Sequence, residues 1–203
     1  MPDIRPLSEL TDPREFLAYL GHVGAELPFD ADVEHGPSSP LARAVSTSGL
    51  TAGNRFCVLP LEGWDADLAG RPTAATRERW RRKGQGGAKL IWGESAAVRP
   101  DGRSTPAQLL VADDTVSDLA ALRQLAVDEH ERAHGDVSDF VVGLQLTHSG
   151  RMSHPAPDGL PAPVAVRRHP HMDATVGPSP DQPLLTDDEL YALAADFVRA
   201  AAN

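Results

Sequence analysis

The sequence has few of the features that suit an oxidising compartment, a membrane or a nucleic acid. Cys57 is its single cysteine, so no disulfide can form within the chain. No run approaches the roughly 20 apolar residues of a membrane-spanning helix, and the chain does not start with a basic segment followed by an apolar one. Lys and Arg number 19 against 29 acidic residues, and the formal charge of −10 disfavours contact with phosphate backbones. We therefore expect a cytoplasmic protein with no nucleic-acid or membrane partner.

The chain does have the composition of a globular domain and a repeated order of apolar and helical segments. Of its 203 residues, 41% are apolar and 24% charged, which is enough to form one proper core. Three apolar runs read as strands: Arg55–Leu61, Ala88–Trp92 (continuing to Val98) and Phe140–Leu146. Each run ends in a polar or glycine-bearing tip and is followed by a helical pattern. This order predicts β-then-α units with parallel strands, as in an α/β barrel.

Capping signals and apolar spacing place the helices. The clearest helix begins after Thr186, since Glu189 completes a capping box. Two others are predicted, from Thr73 or Thr76 to about Lys83 and from residues 115–117 to His134. The first of these carries the only basic run of the chain, which we interpret as a solvated helix face: Arg77, Arg79, Arg81, Arg82 and Lys83.

The remaining segments frame this pattern. Residues 1–50 are predicted to form an N-terminal extension, with a hairpin in 41–51 that closes the bottom of the fold. Residues 150–183 contain eight prolines, which predicts a functional lid or a disordered loop. The predicted fold class is α/β: a partial TIM (β/α)8 barrel in residues 51–203, with about the first three βα units. Three strands cannot close such a barrel, so two open sheet edges are expected.

Five segments in this order resemble the N-terminal half of the Old Yellow Enzyme family, the FMN-dependent NADH:flavin oxidoreductases. They are Asn54-Arg55-Phe56, residues 60–65, residues 87–94, Asp101-Gly102-Arg103 and residues 145–151. The resemblance runs from about Leu41 to Asn203. It implies a barrel with FMN at the carboxyl ends of its strands and NAD(P)H as reductant. It also implies hydride transfer to an electron-poor alkene or a similar acceptor.

The resemblance also assigns roles to residues at the strand tips. Pro60 and Leu61, with the backbone of Leu59, would lie against the flavin ring. Ser95 would contact the carbonyl edge of the flavin, and Gln145 would hydrogen-bond its pyrimidine side. An amide suits the second role because it both donates and accepts.

Two further assignments complete this implied cofactor site. Trp64 would line the substrate side. Glu62 occupies a position near flavin N5 and the C4 oxygen where many family members have Cys or Thr. A carboxylate there would oppose the negative charge of reduced flavin unless it is neutral or paired.

The groups that act on substrate in the family have no counterpart in this sequence. The polarising His/Asn pair, the tyrosine proton donor, the arginine beside flavin N1 and the phosphate site come from later strands, and Tyr191 lies in a helix. No catalytic residue is therefore assigned. The resemblance implies that a second chain carrying the C-terminal half-barrel, or self-association, completes the site. The alternative is a non-catalytic half-barrel that serves as an interaction or oligomerisation module.

Several residues have two interpretations. We interpret His148 as an anchor of the third tip, with a catalytic base as the alternative. Gln145 could be a core amide instead of a flavin ligand. Cys57 lies in an apolar strand and is expected to be buried. His154, His169 and His171 lack neighbouring cysteines or acids at ligand spacing, so no metal site is predicted.

Overall fold

A computed structural model describes residues 4–176 and 178–203 of the chain. Contacts divide the chain into two compact units, Met1–Pro40 and Leu41–Asn203. The described part of the smaller unit contains the α-helix α1 (Pro13–Val23), whose N-terminus is capped by the side chain of Asp12. In this unit the rings of Phe16 and Phe29 lie 4.9 Å apart and fix the segment that follows the helix.

The larger unit begins with the predicted hairpin and continues into a parallel sheet. Strands β1 (Val45–Thr47) and β2 (Leu50–Ala52) pair antiparallel. Three parallel strands follow in the spatial order β3-β4-β5, which confirms the α/β class. Their bounds and those of the helices between and after them are β3 (Cys57–Val58), α2 (Ala74–Gln85), β4 (Leu90–Ala97), α3 (Val116–His134), β5 (Val141–Thr147), α4 (Pro170–Asp173) and α5 (Asp187–Ala202). No closed barrel forms among these strands.

The first strand is much shorter than the predicted Arg55–Leu61. Only Cys57 and Val58 pair with β4, opposite Leu90 and Ile91. Strand β3 is an edge strand with a single neighbour, and Pro60 has no N–H to donate to a ladder. The chain therefore leaves the sheet after two residues and forms an extended loop instead of a longer strand.

One face of the sheet packs against α2 and α3 and forms the core. Trp80 of α2 and Leu122 and Ala126 of α3 are almost fully buried there. The side chains that β5 contributes to this core come from alternate positions, as the pleat of a strand requires: Val142, Leu144 and Leu146. Leu119 of α3 belongs to the same core, so this helix buries one face against the sheet.

A bulge in β4 determines which side chains reach each face. Trp92 pairs with Gly143 and Ser95 with Gln145, so Gly93 and Glu94 together face one residue of β5. A Cβ on Gly93 would lie 3.0 Å from the ring of Trp80, which places this position on the helix side. Glu94 lies on the helix side too, and Ser95 returns to the opposite face.

The opposite face, which we call the inner face, is largely uncovered. The hairpin and the first half of the sheet enclose an apolar hollow of about 550 Å³ on this side. Trp92 and Phe56 line it and remain substantially exposed. Cys57 also lines it and is exposed, so the prediction that Cys57 is buried is wrong. The reason is that nothing in the described part of the chain covers the inner face of this edge strand.

The hairpin end lies beside the amino ends of the parallel strands. The N–H of Gly53 donates to the carbonyl of Asp139, two residues before β5. The side-chain amide of Asn54 donates to the carbonyl of Gly87, shortly before β4, over 2.9 Å. The strand tips that follow β3, β4 and β5 therefore lie at the end of the sheet away from the hairpin.

The last helix has the predicted capping box but little packing. The Thr186 side chain accepts from the N–H of Glu189, and the Glu189 carboxylate accepts from the N–H of Thr186. None of the residues of α5 is buried. The loop of residues 150–183 contains a short 3-10 turn, Gly150–Met152, and the single-turn helix α4. None of the described helices has the length and apolar character that crossing a membrane requires.

Candidate functional site

The polar residues at the carboxyl ends of the strands form one connected cluster, here called the tip network. Its centre is Gln108, which is 1% exposed and lies in the loop after β4. The Gln108 amide nitrogen donates to Glu62 Oε1 over 2.9 Å and to Ser95 Oγ over 3.1 Å. Ser95 Oγ also lies 2.9 Å from Thr147 Oγ1, and Ser104 Oγ donates to Glu62 Oε2. These contacts join the tips of all three parallel strands.

Glu62 is held in this cluster by neutral donors. Its carboxylate accepts from Gln108, from Ser104 and from Trp64 Nε1, the last over 2.8 Å. None of these donors carries a charge. These hydrogen bonds hold the Glu62 side chain in place beside the exposed indole of Trp64.

The predicted flavin-facing residues fall into two groups. Leu59 and Leu61 are exposed on the loop after β3, with Pro60 half-buried between them. Gln145 is exposed on β5, and its amide forms no hydrogen bond within the described part of the chain. These residues are available to a ligand on the inner face.

Ser95 belongs to the second group. It is the register partner of Gln145, so the two predicted residues lie side by side on neighbouring strands. However, Ser95 is buried, and its hydroxyl is already engaged by Gln108 and Thr147. Its contact with a cofactor edge therefore stays a prediction.

His148 has the geometry of a structural anchor. Its Nδ1 accepts from the backbone N–H of Gly150 over 3.0 Å, which leaves the ring proton on Nε2, 3.6 Å from Asp101 Oδ1. Burial lowers the pKa of His148. A Cβ on Gly102 would lie 2.4 Å from the His148 ring, so the ring fills space between two tips. A buried ring with its acceptor nitrogen occupied favours the anchoring role over that of a base.

A second cluster lies on the helix side beneath the first tip, and we call it the ion-pair network: Asp65, Arg79 and Glu94. Arg79 donates from Nη1 to Glu94 Oε1 over 2.8 Å and from Nη2 to Asp65 Oδ1 over 2.6 Å. Trp80 Nε1 donates to Glu94 Oε1 over 2.6 Å. Burial acts to raise the pKa of Asp65, but the hydrogen bonds from Arg79 and Thr76 outweigh it and hold that pKa below its usual range.

The basic run of α2 is not the uniformly solvated helix face that the sequence predicted. Arg82 is exposed and pairs with Glu78 on the same helix, as a solvated face requires. Arg79 and Lys83 instead turn toward the sheet, where Lys83 donates to the carbonyl of Gly93 over 3.0 Å. Burial lowers the pKa of this Lys83 ammonium. The prediction of a uniformly solvated basic face is therefore wrong for these two positions, because the bulge brings Glu94 to the helix side.

Three site residues were assigned no role from the sequence: Gln108, Arg103 and Glu94. Arg103 is buried, and its guanidinium donates to the carbonyls of Leu68, Pro106 and Pro155, which lie in the loops that follow the three strands. Gln108 lies in a loop whose sequence has no periodicity. Glu94 could have been suspected, because a carboxylate inside a strand with apolar neighbours needs a cationic partner.

Metal-ligand geometry is not found among residues 4–176 and 178–203. No three His, Cys, Asp or Glu side chains come close enough there to hold an ion. His169 accepts from the N–H of Met172 and caps α4, and its ring centroid lies 6.3 Å from that of His171. His154 contacts the carbonyl of Met152 instead of either of them.

Several solved structures share this fold. An Old Yellow Enzyme homologue from Zymomonas mobilis is 23% identical, with a TM-score of 0.60 over 79% of this chain and 44% of that one. Morphinone reductase in complex with tetrahydroNAD is 24% identical, with a TM-score of 0.58 over 81% of this chain and 46% of that one. The Old Yellow Enzyme from a Pichia species is 16% identical, with a TM-score of 0.58 over 81% and 42%.

The resemblance seen in the sequence is confirmed at the level of the fold. No family model matches the sequence, and no curated protein matches it either. The chain spans less than half the length of these solved structures, although they cover about four fifths of the chain. The chain thus has the fold of part of an Old Yellow Enzyme.

The residues on the inner face fit an isoalloxazine ring along one edge. Leu59 and Leu61 offer exposed apolar surface beside the tips, and the Gln145 amide can both donate and accept. Glu62, as a carboxylate, only accepts, so it suits a neutral ring better than an anionic one. The donor set therefore fits FMN, with Glu62 as the one residue that disfavours a negatively charged ring.

Proposed function

We propose that this chain is the N-terminal half of an FMN-dependent oxidoreductase barrel and that a second chain supplies the other strands. In this proposal the three parallel strands are the first part of a (β/α)8 barrel. FMN, when bound, would supply hydride transfer between NAD(P)H and an electron-poor alkene or similar acceptor. A cytoplasmic location belongs to the same proposal.

The proposal rests on one observation: on the inner face, a connected polar network lies beside exposed apolar residues. The strand tips are joined by the tip network around Gln108, as a finished site requires, yet Leu61 and Trp64 beside them are largely exposed. Parallel sheets are normally covered on both faces. A connected polar network next to uncovered apolar surface supports the proposal that a further half-barrel covers this face.

Within such a site the residues of this chain would position the flavin ring and select the acceptor, without taking part in the chemical step. Gln145 would orient the ring through paired donor and acceptor contacts. Leu59, Pro60 and Leu61 would exclude water from one side of it. Trp64 would line the space for the acceptor, and Glu62 would oppose negative charge on the ring. The groups that protonate the acceptor would come from the second chain.

The test is to isolate the tagged chain from its own cells together with any companion, and to record the visible absorbance. We expect a complex of this chain with a second half-barrel chain, showing the bands of an oxidised flavin. FMN should be released when the complex is denatured. The chain alone, dialysed against FMN, should retain little of it. A stable complex that remains colourless after FMN is added would contradict the enzyme proposal.

The alternative of an interaction module rests on a different feature, the two open edges of the sheet at β3 and β5. Open edges of a parallel sheet pair readily with other strands. A flavin-free assembly of defined size would favour this alternative. A monomer by light scattering, without companion and without flavin, would contradict both.

A further inference from the structure

The tip of the first strand has a backbone conformation that needs an explanation. Trp64 has a φ of 52°, in the left-handed region that bulky residues rarely adopt. Trp64 is 65% exposed, so packing of the indole does not explain this conformation. Residues held in such regions persist only where surrounding contacts over-determine them. The contacts that hold Trp64 should therefore be identifiable in its neighbours.

Two of the hydrogen bonds at the tip are donated by Gly63 and Trp64 themselves, one on each side. On the inner face, Trp64 Nε1 donates to Glu62 Oε2 over 2.8 Å. On the helix side, the backbone N–H of Gly63 donates to Glu94 Oε2 over 3.1 Å. The second bond reaches from the tip of β3 into the ion-pair network, so it links a backbone N–H of the site to a carboxylate that is 2% exposed.

Glu94 can hold Gly63 because Arg79 and Trp80 fix its position. Arg79 donates to both oxygens of Glu94, and Trp80 Nε1 donates to one of them. The same guanidinium donates to Asp65, the residue directly after Trp64. Arg79 therefore restrains the tip through Glu94 on one side of Trp64 and through Asp65 on the other.

The guanidinium of Arg79 also occupies the space that a side chain at residue 63 would need. A Cβ built on Gly63 would lie 1.8 Å from Arg79 Nη2 and 2.2 Å from its Cζ. The backbone of the tip thus lies directly on the guanidinium, and any side chain at residue 63 would separate them. The sequence Glu62-Gly63-Trp64 matches this arrangement: an acceptor for the indole, a residue without Cβ, and the exposed ring.

We propose that Arg79 and Glu94 are positioning residues that set the conformation of residues 62–64. Through the Gly63 N–H they keep Trp64 in its left-handed conformation with the indole against Glu62. The consequence for substrate selection rests on the proposed function, because only there do Glu62 and Trp64 face a ring and an acceptor. The positioning itself is independent of flavin and can be tested on the full chain alone.

A purely structural role for the ion pair predicts a different result. If Arg79 and Glu94 only stabilised the fold, removing either would lower the exchange protection of all core amides by a similar factor. A positioning role acts locally, on the amide of Gly63 and the indole of Trp64. Amide hydrogen exchange resolved by residue separates the two, because it measures local and global opening in the same experiment.

The first measurement uses the unchanged chain. The Gly63 amide should exchange about tenfold to a hundredfold more slowly than its intrinsic rate, as expected for a hydrogen bond to a charged acceptor. The Trp64 amide should exchange faster than the Gly63 amide, relative to their intrinsic rates. Equal protection of the two amides in the folded chain would overturn the proposal without any variant.

The second measurement compares two arginines of α2. Arg79→Ala should reduce the protection of Gly63 about tenfold or more and shift the Trp64 indole N–H resonance. The matched control is Arg82→Ala, which removes the same charge from the same helix but pairs only with Glu78. In the control, the protection of the Gly63 amide should change by less than about twofold and the Trp64 indole N–H resonance should not shift, since exposed ion pairs contribute little. Equal effects of the two substitutions on Gly63 would overturn the proposal.

A third variant, Arg79→Lys, is used in case Arg79→Ala does not fold. Arg79→Lys keeps the charge but cannot bridge Glu94 and Asp65 with a rigid fork. It should fold and still lose most of the Gly63 protection, while core amides such as that of Leu122 keep theirs. Full Gly63 protection in Arg79→Lys, or loss of protection in parallel at Gly63 and Leu122, would refute a positioning role.

Discussion

On the side of the sheet that packs against α2 and α3, Ile91 and Ala96 have no exposed surface, whereas on the inner face Trp92 is 43% exposed. The first face has an interdigitated core around Leu122 and a charge cluster with its partners in place. The second has an apolar hollow and a polar network at one end. The contrast is therefore between a face with a packed core and a face whose apolar surface is uncovered within the described residues.

The most severe way to test this contrast is to remove one leucine from each face. Leu122→Ala should lower the free energy of unfolding by about 2–5 kcal/mol, because it opens a cavity in a packed core. Urea unfolding followed by circular dichroism measures the change. The matched control is Leu59→Ala, since Leu59 is 65% exposed on the other side.

The control should change the free energy of unfolding by no more than about 0.5 kcal/mol in the isolated chain. A loss of similar size in both variants would mean that the inner face is already covered in solution. That result would point to self-association, and it should then depend on protein concentration.

The polar network of the inner face can be tested through its centre. Gln108→Ala removes the amide that donates to Glu62 and Ser95 and accepts from the N–H of Ser104. Leaving buried polar groups without partners should cost about 1–3 kcal/mol of unfolding free energy. Chemical denaturation measures it.

The matched control for this substitution is Gln124→Ala. Gln124 lies on the exposed side of α3 and donates only to Asp128. It should change stability by less than about 0.5 kcal/mol. If Gln108→Ala had as little effect as this control, the tip network would not stabilise the carboxyl ends of the strands.

The sequence predicted the helix-facing side of the molecule better than the tips, for a physical reason. Periodicity and caps are local signals, so α3 and the Thr186–Glu189 capping box were both predicted correctly. The bulge at Gly93 and Glu94 is not a local signal, because it exists only against β5. Arg79 was interpreted as solvated for the same reason, since its partner Glu94 would point the other way without the bulge.

The candidate site shows the same limit. Gln108 and Arg103 lie in irregular loops, and their contacts are with backbone carbonyls and side chains far along the chain. No spacing rule reveals such contacts. The roles of Glu62 and Gln145 were assigned through the family resemblance, and their contacts with a cofactor stay predictions. The length of β3 was overestimated, because apolar character alone does not reveal a missing neighbour strand.

The helix-facing side should also respond to pH through His130. This residue is fully buried, with Nδ1 2.9 Å from the carbonyl of Gly84. Burial lowers the pKa of His130; the charges of Lys89 and His134 lower it further, while the Gly84 carbonyl and Asp139 oppose this. The unfolded chain therefore takes up the proton first as the pH falls. The stabilisation is complete above the ordinary pKa of about 6.5 and is lost as the pH falls below it.

Unfolding measured from pH 7.5 down to about pH 5 should show this loss, of about 1.4 kcal/mol per unit of pKa difference. His130→Gln should flatten the profile, although it also lowers stability at neutral pH. His171→Gln, on an exposed part of the long loop, should leave the slope unchanged. An unchanged slope in His130→Gln would show that other groups, such as the buried His148, carry the dependence.

The smallest effect is expected from Leu61→Ser, and it separates the two faces most sharply. Leu61 is 77% exposed in the loop after β3. Because its side chain is already in water, the isolated chain should lose less than about 0.5 kcal/mol of unfolding free energy. In a complex that covers the inner face the same leucine would be buried, and the substitution should then weaken the complex by about 1.5–3 kcal/mol. Urea unfolding measures the change in the isolated chain, and the dissociation constant measures the change in the complex. Equal, small values for both would mean that the proposed second half-barrel does not cover the carboxyl ends of these strands.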